Sequence, residues 1–126
     1  MALATPGMRK IGLAARFKRL CMEHSIDCWV EPFEQAGWSA QLQSATDVKA
    51  IIEKDYAQWR VRLNLTGGTK MMALSMVLRL REESCEAFYC DTERDTIETL
   101  QPNGTVVASR LFIQRNKHSI YLLKIN

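Results

Sequence analysis

Apolar side chains in residues 9–24 recur at Leu13, Phe17, Leu20 and Cys21, with His24 on the same stripe. That is the spacing of one face of a 3.6-residue period and predicts a helix. Lys18, Arg19 and Glu23 lie off the stripe, and Thr5-Pro6 upstream suits a helix start. His24 reads as a helix-end residue rather than a catalyst. Residues 27–30, Asp-Cys-Trp-Val, read as a short strand. Residues 31–43, with Pro32 and Gly37, read as a connection. Trp38 within it is either a core plug or a surface for stacking a base. Ser44 followed by Asp47 is a variant of the capping box, so the next helix is predicted to open at Ser44. Val48, Ile51, Ile52, Tyr56 and Trp59 would form its apolar face, and Lys49, Glu53 and Lys54 its wet one.

Residues 60–65 alternate as a strand does, and Thr66-Gly67-Gly68-Thr69 breaks the run. Residues 70–82 then read as a helix that is apolar almost all round until Arg79, which predicts extensive burial. Its Met-rich character suits core filling better than a cofactor box. Residues 87–90 read as a strand ending at Asp91-Thr92. Pro102-Asn103-Gly104 between the β-prone runs 96–100 and 105–108 predicts a hairpin. Residues 120–125 are a last candidate strand. Helix, strand, helix, strand, helix, strand and hairpin, with no internal repeat, predict a layered α/β domain with an antiparallel end.

Composition narrows this picture. The chain has 126 residues, 47% hydrophobic and 25% charged, which suits one globular domain and excludes general disorder. No apolar run approaches the roughly 20 residues of a membrane helix. No secretory signal is evident, so the expected location is the cytoplasm. The formal net charge is +3. Arg9, Lys10, Arg16, Lys18 and Arg19 stand in the first 20 residues without an acid. They read as a solvated helix face or, more sharply, as a positive rim for an anion. So small a net charge does not suit a generic nucleic-acid coat, and neither DNA nor a membrane is an expected partner. Cys21, Cys28, Cys85 and Cys90 form no C-x-x-C pair, and His24 and His118 have no zinc-ligand spacing to them. No metal, cofactor or disulfide is expected.

The chemistry concentrates in strand, Thr66-Gly67-Gly68-Thr69-Lys70, helix. Two glycines allow a sharp turn and close backbone approach to a ligand. The helix start offers unpaired N–H groups and a positive dipole end to a phosphate. Thr66 and Thr69 add hydroxyls and Lys70 a cation. A tight turn capped by Thr69 is the purely structural alternative. The segment is not a Walker A loop, since the first glycine is missing and Met71 follows Lys70.

The string Asn64-Leu65-Thr66-Gly67-Gly68-Thr69-Lys70-Met71-Met72-Ala73-Leu74, followed by Ala87-Phe88-Tyr89-Cys90-Asp91-Thr92, resembles the CARF domain of CRISPR-associated nucleases activated by cyclic oligoadenylate. The likeness runs over roughly residues 5–100 and is sharpest over 60–98. It implies a Rossmann-like CARF-type layered sheet with helices and a C-terminal antiparallel hairpin. Residues 1–126 would be one CARF-like domain, 1–100 its family-like core and 101–126 its C-terminal strands. The resemblance places Thr66, Gly67, Gly68, Thr69 and Lys70 along the cyclic-nucleotide pocket with Asn64, and Asp91 and Thr92 near it. The family begins with a strand and a ligand-contacting loop ahead of what is here Thr5-Pro6. That first strand is expected to be missing, its place taken by the hairpin, by 120–125 or by a second subunit. About 25 residues follow the matching region, too few for an effector domain.

A sensor without an output domain would either destroy its messenger or act through a partner. The resemblance to ring nucleases implies cleavage of cyclic oligoadenylate, cyclic tetraadenylate first, switching off type III CRISPR antiviral signalling. Attack by the 2′-OH on the adjacent phosphate needs no metal. It needs in-line geometry and charge stabilisation, for which Lys70 and Thr69 are the catalytic candidates. His118, in the polar stretch 114–119, is a possible acid or base but suits an exposed loop better. The two-fold symmetry open to a cyclic tetranucleotide implies a homodimer. A non-catalytic sensor or sponge acting through a partner effector is the alternative.

Overall fold

The computed structural model describes residues 1–80 and 85–110. The chain order is β1 (Ala2–Ala4), α1 (Pro6–Lys10), α2 (Leu13–Glu23), β2 (Val30–Pro32), α3 (Trp38–Asp55), β3 (Arg62–Asn64), α4 (Lys70–Leu80), β4 (Glu86–Asp91), β5 (Thr96–Leu100) and β6 (Val106–Arg110). β1 and β2 pair in parallel. A four-stranded sheet runs in the order β3-β4-β5-β6. Its β3–β4 pair is parallel and its β4–β5 and β5–β6 pairs antiparallel. The expected α/β architecture with an antiparallel hairpin end is therefore present. The candidate strand at 120–125 and His118 lie outside the described residues.

Both sheets share one helical layer. Phe33, Ala45, Val48, Met72, Met76, Leu80 and Cys85 form the buried cluster, with Leu3, Ile52, Val61 and Leu63 packed on it. Phe33, just past β2, is fully buried. Burying a side chain of its size contributes about 1.5–3 kcal/mol. The period of two along a strand sets the faces. Leu63, Cys85 and Ala87 turn toward α4, and Arg62, Glu86 and Phe88 turn away from it.

The direction of the helices fixes where a ligand can sit. α3 ends ahead of the amino end of β3, and α4 ahead of the amino end of β4. β3 and β4 are parallel, and α3 packs along α4. The two helices therefore run the same way, with both N-termini at the carboxyl end of the strands.

Several expectations need correction. The first strand is not missing: Ala2–Ala4 supplies it and Thr5 follows directly as the N-cap of α1. Three residues are too few to display a strand period, which hid it. The helix expected over 9–24 is two helices, broken where Gly12 takes φ +73°. A positive φ of that kind suits glycine and ends α-helical continuity. Of its apolar stripe only Cys21 is buried; Leu13, Phe17 and Leu20 are exposed. The short strand shifts from 27–30 to Val30–Pro32.

The second helix opens at Trp38, not at Ser44, so the capping box does not form. Ser44 is buried in mid-helix, where its hydroxyl accepts a hydrogen bond from Glu34 N at 2.9 Å. Asp47 accepts instead from Gln43 Nε2 at 2.9 Å. Tyr56 and Trp59 fall beyond the helix rather than on its face. α4 is buried along one side only, at Met72, Ser75, Met76 and Leu80. Leu74 and Leu78 remain 42% and 47% exposed. Among the described residues, no helix is long and apolar enough to cross a membrane.

Candidate functional site

The turn between β3 and α4 is built by three short-range devices. Asn64 Oδ1 accepts from Thr66 N at 2.9 Å, an Asx turn that lifts the chain off the strand. Thr66 Oγ1 accepts from Cys90 N at 2.9 Å, which ties the turn to the end of β4. Leu65 N donates to Phe88 O at 2.8 Å, extending the β3–β4 ladder up to the turn. Gly68 then adopts φ +84°, in the left-handed region where a side chain is strained. Thr69 caps α4: its Oγ1 accepts from Met72 N at 3.2 Å and its carbonyl from Ala73 N at 3.0 Å.

The product is a fixed, open cradle. Residues 66–70 are exposed. Among the described residues, no group accepts a hydrogen bond from the backbone N–H of Gly67, Gly68 or Lys70, and no carboxylate pairs with the Lys70 ammonium. Unpaired N–H groups, the positive end of the α4 dipole and a cation belong to one short turn, a suitable arrangement for a phosphate. The capping and catalytic readings of Thr69 are compatible. Its oxygen is occupied as an acceptor, while its hydroxyl proton is left to donate outward.

Asp91 and Thr92 are placed nearby but differently. Asp91 ends β4, directly after Cys90, which Thr66 grips. Its Oδ1 accepts from Glu93 N at 3.0 Å and Arg94 N at 3.1 Å, and its Oδ2 meets Arg94 Nε at 3.1 Å. The carboxylate thus shapes the β4–β5 turn, and Arg94 offsets a charge that would otherwise repel an anion. Thr92 is exposed on that turn.

A second strand-to-helix turn at the same end was not expected to carry a site. Thr5 follows β1, is buried, and accepts from Met8 N through Oγ1 at 3.4 Å and from Arg9 N through its carbonyl at 3.1 Å. The signal was present in Thr5-Pro6-Gly7, but without a visible strand before it nothing marked it as the end of one.

The four cysteines are free thiols. Burial pushes the Cys85 thiol up, and burial followed by the neighbouring Cys28 does the same to Cys21. Neither is an activated nucleophile. The other charged cluster lies on the sheet face away from α4. Arg60 Nη2 meets Glu86 Oε1 at 2.6 Å and Arg62 Nε meets Glu86 Oε2 at 2.8 Å. These hydrogen bonds, Arg60 first, hold the Glu86 carboxyl below its ordinary range. An open groove of about 190 Å³ borders the cluster, lined also by Phe88, Thr99 and Ser109. Its cations are already paired, so it is a weaker anion site than the Thr66–Lys70 turn.

No protein-family model matches the chain, and no curated protein does. Among solved structures, it is similar to Can2 from Sulfobacillus thermosulfidooxidans in complex with cyclic tetra-adenylate (cA4), a CARF-domain protein, at 27% identity and a TM-score of 0.59. The match covers 83% of this chain and 28% of that one. The likeness therefore spans most of this chain and a minor part of the larger protein. Together with the T-G-G-T-K turn at the carboxyl end of β3, it identifies the fold as Rossmann-type and the chain as bearing a CARF-like domain.

Proposed function

We propose that the protein, as one domain over residues 1–126, binds a cyclic oligoadenylate at the carboxyl end of its parallel strands and cleaves it as a ring nuclease. The likeness to a cA4 complex supports the ligand class, with cyclic tetraadenylate the first candidate. The observation that carries the reading is the open cradle at Gly67, Gly68 and Lys70, where N–H groups and a cation have no partner among the described residues. A ribose 2′-OH attacks the adjacent phosphorus in line, the P–O5′ bond breaks, and the products are a 2′,3′-cyclic phosphate and a free 5′-OH. The backbone N–H groups and the Lys70 ammonium stabilise negative charge on the phosphoryl oxygens, and the Thr69 hydroxyl donates to one of them. The Asn64, Thr66 and Thr69 hydrogen bonds constrain the cradle, which favours the in-line arrangement. Turnover of the messenger would end type III CRISPR antiviral signalling in the cytoplasm.

The working unit is a homodimer with the ring on the two-fold axis. Lys70, Leu74 and Leu78 stand at i, i+4 and i+8 on α4, and both leucines are nearly half exposed. An apolar stripe thus runs from the cradle along the helix, suited to a second copy. The alternative is a sensor or sponge that binds without cleaving. The engagement of Asp91 with Arg94 favours it, because the carboxylate at the end of β4 is no ready base.

Incubation with cyclic tri-, tetra- and hexaadenylate in EDTA separates these readings. Linear product with a 2′,3′-cyclic phosphate end is the expected outcome. Tight binding with no product leaves the sensor, and no binding of any ring removes both. Lys70→Ala is expected to weaken cyclic tetraadenylate binding by about 10- to 100-fold, the scale of a charge-assisted hydrogen bond, with unchanged circular dichroism. Light scattering should report a dimer with ligand; a monomer throughout overturns the shared-ring arrangement.

A further inference from the structure

We infer that Trp38 is the base-stacking platform of the site, holding one purine of the nucleotide whose phosphate rests on the Thr66–Lys70 turn. This rests on the reading of that turn as a nucleotide cradle.

The three tryptophans differ in what they touch. Trp29 stacks on Tyr56 with ring centroids 5.2 Å apart and planes 12° from parallel. Tyr56 meets Trp59 edge-on at 5.8 Å and 86°. Those rings satisfy one another. Trp38 makes no ring contact among the described residues and is 49% exposed. An indole is a large apolar surface and on average highly buried. Leaving half of one in water forgoes burial that the neighbouring core offered to Phe33.

The backbone beneath Trp38 is fixed. Gly37 sits at φ +91°, a value only glycine takes without strain, and its N–H donates to Gln35 O at 2.8 Å. Ser44 holds the preceding link through Glu34 N. The indole is thus displayed from a defined helix start rather than from a wandering loop.

α3 and α4 run the same way and pack along each other, so Trp38 and Lys70 open neighbouring helices at the ligand end. The buried positions of α3 begin at Gln41 and those of α4 at Met72, close to each helix start. Packed helices lie about 8–10 Å apart, so the two helix starts neighbour each other at that end. A nucleotide with its phosphate on the cradle directs its base away from it, and an exposed indole at the neighbouring helix start is available to receive it. Stacking gains affinity through the π face and suits any purine; the cradle supplies the charge term.

The test is a titration of cyclic tetraadenylate into the full chain by calorimetry and tryptophan fluorescence, with Trp38→Leu, Trp38→Phe and Trp59→Phe. Ligand is expected to quench wild-type emission. Trp38→Leu should weaken binding about 10- to 100-fold, the range of one base–aromatic stack. Trp38→Phe should recover most of that loss, because a flat ring remains, and Trp59→Phe should bind like wild type. Melting curves of the Trp38 variants should match wild type, as expected for an exposed residue. Unaltered affinity of Trp38→Leu, or unaltered emission at saturation, overturns the platform while leaving the cradle standing, provided Lys70→Ala still loses binding. Failure of the wild type to bind any ring overturns the cradle, and the platform with it.

Discussion

The two ends of the parallel strands both carry cations, and they treat them in opposite ways. At the amino end Arg60 and Arg62 converge on Glu86, each within 2.8 Å. At the carboxyl end Lys70 follows two glycines and meets no carboxylate among the described residues. Aromatic groups repeat the contrast. Trp29, Tyr56 and Trp59 pack together near the amino ends of β2 and β3, while Trp38, at the other end, makes no ring contact among the described residues. One end is closed on itself, and its groups serve stability. The other is held rigid by its backbone while its charge and its ring stay open, and that is what binding requires. The total of charged or aromatic residues does not distinguish the ends; whether partners are already present does.

The largest effect that would break this comparison is at Glu86. Replacing it by Ala leaves two guanidinium groups facing each other without their shared carboxylate. Thermal melting should drop by several degrees, with the affinity of the folded protein for cyclic tetraadenylate unchanged. The pH dependence has a defined sign. A carboxyl held below its ordinary value contributes stability fully above the unfolded-state pKa and loses it as pH falls through the folded value. Wild-type melting should therefore weaken below about pH 4.5, the ordinary value, and Glu86→Gln should flatten that part of the slope. Arg60 is largely exposed, so added salt should shrink the difference. A ligand-affinity loss in Glu86→Ala with no change in melting would reverse the assignment of the two ends.

What the sequence made legible follows the same division. The β3–turn–α4–β4 unit could be read because each part has a local signature: alternation in 60–65, paired glycines, a Thr cap and an apolar helix. The hairpin was marked by Asn103-Gly104. The closed amino end could not be read, because Arg60 and Glu86 meet across 26 positions and nothing local announces the pairing. β1 was hidden by its three-residue length. The start of α3 was misplaced because Gly37 caps through backbone conformation alone, while Ser44-x-x-Asp47 imitated a cap. Trp38 is legible as a core plug or a stacking surface, yet only the placement of α3 beside α4 puts it at the ligand end.

Thr69 offers a smaller effect that touches both roles. Thr69→Ala removes the cap hydrogen bond to Met72 N and costs about 1 kcal/mol of stability. It also removes the hydroxyl proposed to donate to a phosphoryl oxygen. Chemical unfolding should show the first loss, and single-turnover cleavage should show a rate reduction beyond any change in affinity. Thr69→Ser restores both if the hydroxyl is what matters. Recovery of stability without recovery of rate would confine Thr69 to capping.

The smallest expected effect is at Thr66, and it sharpens the comparison most finely. Its hydroxyl ties the turn to Cys90 N, while Asn64 independently fixes Thr66 N. Thr66→Val keeps the β-branched shape and removes the acceptor. Thr66 is exposed, so water can replace the lost partner and the stability cost should stay below about 1 kcal/mol. What changes is how firmly the Gly67–Gly68 segment is held before ligand arrives. A looser cradle must be ordered on binding, which should lower affinity for cyclic tetraadenylate by a few-fold at nearly constant melting temperature. Amide exchange at Gly67 and Gly68 should rise in the free protein and return to the wild-type level when ligand is bound. A rigid turn in Thr66→Val with wild-type affinity would show that Asn64 and the Thr69 cap suffice to hold it, and that Thr66 is a spectator in an otherwise preorganised site.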